Sequence, residues 1–69
     1  MTVEELLKQL EEERHVCLEA ARDDYHKMKE YIESKDFPTA AEYERACVDK
    51  QSGALNIAIA IRVIKERVS

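Results

Sequence analysis

The sequence predicts an all-α fold: an antiparallel helical hairpin, with helices over about 3–34 and 40–68, that associates as a four-helix bundle of the coiled-coil kind. Three observations carry this. Charged residues make up 38% of the 69, against one Gly and one Pro. Two capping-box spacings bracket the lone proline. The second half of the chain is apolar on more sides than one neighbouring helix covers. A sandwich or barrel needs many turn residues and a doubly wound α/β enzyme needs more chain, so both are excluded. The length suits a single helical domain, 1–69.

The first helix opens at Thr2-Val3-Glu4-Glu5, which has the S/T-x-x-E spacing of a capping box. Apolar residues then recur with a helical period at Val3, Leu6, Leu7, Leu10, Cys17, Ala21, Met28 and Ile32. Glu4–Lys8 and Asp23–Lys27 add i,i+4 support. The stop falls in Ser34-Lys35-Asp36-Phe37-Pro38, because a proline disfavours helical backbone at the residue before it. A second capping box, Thr39-Ala40-Ala41-Glu42, restarts the helix.

In the second helix Tyr43, Lys50, Ile57 and Ile64 recur every seven residues beside the small residues Ala46, Gly53 and Ala60. Small side chains at that interval let two backbones approach closely. Gly53 is the weak point, costing about 1 kcal/mol against Ala inside a helix. A break at Ser52-Gly53, giving a three-helix bundle, is the competing architecture. The β-branched alternation Ile57-Ala58-Ile59-Ala60-Ile61 resembles a strand, yet no other segment offers a partner to pair its ladder.

Ile57, Ile61 and Ile64 form one stripe, while Leu55, Ile59 and Val63 form another turned well away from it. A single neighbouring helix covers only the first. An uncovered row of this kind is what monomers avoid, so Leu55, Ile59 and Val63 are the predicted oligomer interface, most simply of a C2 dimer. Arg14 and Asp24 fall at the stripe of the first helix, and Lys50 interrupts that of the second. They read either as side chains snorkelling at a bundle edge or as a polar device that fixes register.

Charge and cysteine use bound the function. Residues 1–36 hold eleven acids and six bases, whereas 37–69 hold four acids and five bases. Without a basic stripe, direct nucleic-acid binding is not expected. The longest apolar run, Ile57–Ile61, is too short to span a membrane, and the acidic start lacks the features of a signal peptide. Cys17 and Cys47 read as reduced thiols at different levels of the hairpin, so a cytoplasmic setting is expected.

No catalytic, cofactor-binding or metal-binding residues are predicted. The acid–His pairs Glu12/His15 and Asp23/His26 have the i,i+3 spacing seen in carboxylate-bridged metal bundles. They lie eleven residues apart on one helix, opposite its apolar stripe, and read as a solvated face. One Gly in the whole chain leaves no phosphate loop.

The aromatics Tyr25, Tyr31, Phe37 and Tyr43 all lie between 25 and 43, at the turn end. They either close the core or present a docking surface, with Tyr31, Phe37 and Tyr43 as candidate partner-binding residues. The expected function is therefore non-enzymatic: a small adaptor or regulator that binds itself and another protein. Two alternatives stand beside it. One is an acidic inhibitor using Glu11, Glu12, Glu19, Asp23 and Glu30 to fill the basic nucleic-acid-binding groove of another enzyme, which salt would weaken steeply. The other is a structural subunit of a larger assembly.

Overall fold

The computed structural model describes residues 1–68. Two helices, α1 (Val3–Glu33) and α2 (Phe37–Val68), pack against each other as an antiparallel hairpin. Among the described residues there is no strand, and Ile57–Ile61 lies inside α2. The helix also runs unbroken through Gly53, so the three-helix alternative does not occur.

Thr2 caps α1 as its spacing predicts, its extended backbone letting the hydroxyl accept from the Glu5 N–H at 3.1 Å. The other end closes with two crossed bonds: Lys35 N–H donates to the Ile32 carbonyl and Asp36 N–H to the Tyr31 carbonyl. This is a Schellman arrangement, which needs a left-handed residue one step past the cap. Lys35 takes that role at φ 63°, where glycine is usual.

The start of α2 corrects the sequence reading. The cap is Asp36, not Thr39. The Asp36 carboxylate accepts from the Thr39 N–H at 3.4 Å and its carbonyl from the Ala40 N–H at 3.0 Å. Pro38 is tolerated at the second helical position because a first-turn N–H has no acceptor within the helix anyway. The helix therefore begins three residues earlier than 40, and the turn shrinks to Ser34–Asp36.

Two contacts set the register. Tyr31 stacks on Tyr43 with centroids 5.5 Å apart and ring planes 9° from parallel. Seven residues further from the turn on each helix, Lys50 Nζ donates to Asp24 Oδ2. Another seven bring Cys17 beside Ile57, and both line one groove.

The seam repeats every seven residues. On α1 the seam positions, each half-buried or buried, run Leu7, Leu10, Arg14, Cys17, Ala21, Asp24, Met28 and Tyr31. On α2 they run Ala40, Tyr43, Cys47, Lys50, Ala54, Ile57, Ile61 and Ile64. Alternating steps of three and four residues are the spacing of a coiled-coil seam. Two expectations shift as a result. Ile32 faces outward and Tyr31 takes the seam position, because a seven-residue repeat drifts from the period of an ideal straight helix. Ala46, Gly53 and Ala60 flank the seam, while the neighbouring row Ala40, Cys47 and Ala54 fills it.

The core is thin. The buried apolar residues are Ala21, Ala40, Cys47, Ala54 and Ile61, three of them alanines. The molecule measures 51 × 15 × 14 Å, with a radius of gyration of 15.7 Å. A compact domain of this length would have about 11 Å.

Candidate functional site

The surface, not a cavity, carries what is distinctive here. α1 and α2 use their seam positions on each other, and large apolar side chains remain outside. Leu55 is 63% exposed, Ile59 53% and Val63 40%. The predicted row is thus uncovered within one chain. Successive members are turned about 40° around the helix, so Leu55 sits toward one broad side of the hairpin and Val63 toward the opposite one.

On α1, Leu18, Tyr25 and Ile32 form a second exposed row at seven-residue spacing, immediately beside the seam. The groove lined by Leu18, Ala21, Arg22, Tyr25 and Gln51 shows that this row shares a side with α2 residues. Gln51 lies next to Val48 and Leu55 on that flank of α2. The sequence places Leu18 beside the core stripe but Ile32 within it, which divides this row. Its signal, an apolar residue directly after each of Cys17, Asp24 and Tyr31, is present all the same.

The turn-end aromatics divide. Tyr31 and Tyr43 are half-buried and close the seam by stacking, with Lys27 Nζ 5.6 Å from the Tyr43 centroid. Phe37 stays outside at 60% exposure. Tyr25 is also exposed; it lies edge-on to His26 and beneath Lys29 Nζ.

Polar groups near the seam are paired locally. The Arg14 guanidinium donates to Glu11 Oε2 at 3.2 and 3.3 Å. Across the seam, Asp24 is buried and bonded to Lys50, whose side chain remains about two-fifths exposed. The hydrogen bond to Asp24 raises the Lys50 pKa above its ordinary 10.5, opposed by desolvation and reinforced by the charges of Asp24 and Asp23. The pair joins the two helices at one level only, which is what a register-setting device requires.

The five acids do not form one surface. Glu12, Glu19, Asp23 and Glu30 lie along the outer side of α1, while Glu11 sits on the flank with Leu18. Glu19 is paired with His15 at 2.9 Å. Among the described residues, no group of three or more His, Cys, Asp and Glu is placed to hold a metal ion. Both cysteines are free thiols, Cys17 half-buried and Cys47 buried. No described helix is long and apolar enough to cross a membrane.

Compared with protein-family models, curated proteins and solved structures, the chain finds no match.

Proposed function

We propose that this chain is a non-enzymatic protein–protein interaction module that acts as a helical homo-oligomer and presents its remaining surface to another protein. The observation that carries this reading is the inversion of core and surface. Alanines dominate the buried set, whereas Leu18, Val48, Leu55, Ile59 and Val63 lie outside. Small chains with so little buried apolar area need a further source of stability, and a second copy provides it. Phe37, exposed beside the turn, is the aromatic best placed for a hetero-partner.

The test is the mass in solution by light scattering behind a sizing column, over a hundredfold range of concentration. A dimer that persists on dilution is expected. A monomer throughout would overturn the self-association and leave only the hetero-partner.

A further inference from the structure

Half of the twelve exposed large apolar side chains lie on one side, and Val16, Ile59 and Val63 are among those that do not. Leu18, Tyr25, Ile32, Phe37, Val48 and Leu55 all belong to the rows flanking one side of the seam. With Tyr31 level with Tyr43 and Asp24 level with Lys50, Val48 comes beside Tyr25 and Leu55 beside Leu18. Tyr25, Ile32, Phe37 and Val48 therefore fall in the half of the hairpin nearest the turn, with Leu18 and Leu55 at the hairpin's middle. Toward the open end the same rows become charged, with Glu4 and Glu11 on α1 and Arg62 and Lys65 on α2. One broad side of the molecule carries apolar side chains toward the turn, with Arg22, Lys29 and Glu44 among them, and becomes charged toward the open end.

Resting on the self-association proposed above, the geometry points to a second copy of this chain as the occupant of that side, seated turn upon turn with α1 of each copy over α2 of the other. Two independent arguments favour it. The first is area. The chain exposes 5447 Å² at 8.0 kDa, whereas a compact monomer of that mass exposes about 4,450 Å². The excess, about 1,000 Å² over all sides of the hairpin, exceeds the roughly 800 Å² per partner that a stable interface of standard size covers.

The second argument is charge. A two-fold axis parallel to the helices lays the apolar half of one copy on that of the other. It also sets Glu11, bonded within its own chain to Arg14, level with the second copy's Lys65 and Arg62, the latter itself bonded to Glu66, and Lys29 level with the second copy's Glu44. The other face-to-face symmetry has its axis across the helices and stacks turn on open end. That lays Glu4 and Glu11 on the apolar half. Sliding it until only the apolar halves overlap brings Lys29 toward the second copy's Arg22, a like charge. The first arrangement is not free of like charge, since Lys8 comes level with the second copy's Lys65, but it alone overlaps the apolar halves while the two hairpins meet along their whole length. Ile59 and Val63 lie outside this contact, on the outer and opposite sides of α2.

Lys29→Glu and Glu44→Lys test the arrangement, since both residues are exposed and neither change touches the seam. Each variant by itself places like charges at two symmetric contacts and dimerises about tenfold more weakly than wild type. Mixed in equal amounts, the two restore attraction at both contacts, and the mixed dimer regains wild-type affinity. In parallel, Leu55→Lys splits the dimer and Val63→Lys leaves it intact. If wild type is dimeric but the mixture is no tighter than either variant alone, the second copy sits elsewhere; self-association stands and this arrangement falls. If wild type is a monomer at every concentration, both fall together.

Discussion

Gly53 is the position where local preference and packing disagree most openly. A Cβ built there meets nothing within 4 Å, so no close approach requires a glycine, and the residue only loosens the middle of α2. Gly53→Ala is expected to stabilise the fold by about 1 kcal/mol, a rise in Tm of roughly 4–8 °C, read by thermal melting at fixed protein concentration. Asp24 and Lys50 make the opposite case, polar residues kept where apolar ones would pack. Lys50→Ala and Lys50→Met both leave the buried carboxylate without its partner, which is costly, and Lys50→Ala destabilises more because the Met stem still covers the seam. The pH dependence follows from the direction of the Lys50 shift. Its folded pKa lies above the ordinary 10.5, so its contribution is fully present below that value and is lost as pH rises through the folded pKa. Wild type minus Lys50→Met, measured from pH 9 to 12, should give a stability difference that shrinks across the top of this range. A difference that grows with pH would contradict the pairing.

At the scale of the element, the two helix starts show what a cap signature does and does not specify. Thr2 and Asp36 each accept a bond from the N–H three residues on, and both residue types are good caps. The start of α1 was legible because only one cap candidate precedes the apolar period. The start of α2 was not, because Asp36 and Thr39 are both cap residues and Pro38 between them looks like a barrier. Proline obstructs a helix through a missing N–H and a clash with the preceding turn, neither of which applies in the first turn, and its disfavour for helical backbone at the residue before it is overridden at Phe37. Asp36→Ala should therefore cost about 1 kcal/mol, while Thr39→Ala, already inside the helix, should stay within about 0.5 kcal/mol; urea unfolding separates the two. The seam shows a related limit. Its membership at Leu7, Leu10 and Cys17 was plain from periodicity, but the choice of Tyr31 over Ile32, and of Ala54 over Gly53, depends on the accumulated drift between a seven-residue repeat and the helical period. The apolar side proposed for the second copy was less legible still. It is composed of two rows on different helices, and which residues become neighbours depends on the register that Asp24 and Lys50 fix.

At the scale of the whole molecule, the hairpin is long for its mass and its buried set is mostly alanine. Each helix buries one stripe against the other, and no third element covers what remains. Contacts across a single seam replace conformational entropy with too little apolar burial to stand far from the unfolding threshold. If the second copy supplies the missing burial, folding and association are one equilibrium, and stability depends on how much protein is present. Each tenfold rise in concentration then adds about 1.4 kcal/mol per mole of dimer. Spread over the unfolding entropy of two chains this size, that is an increase in Tm of roughly 5 °C. Melts recorded by circular dichroism over a hundredfold concentration range should accordingly separate by about 10 °C. The Gly53→Ala variant should shift every curve upward without changing their spacing, because it alters the helix and not the contact between copies. Leu55→Lys should do the reverse and collapse the curves onto one low transition independent of concentration. Curves for wild type that superimpose would mean that the hairpin's own seam suffices, and that the apolar rows outside it serve some other molecule.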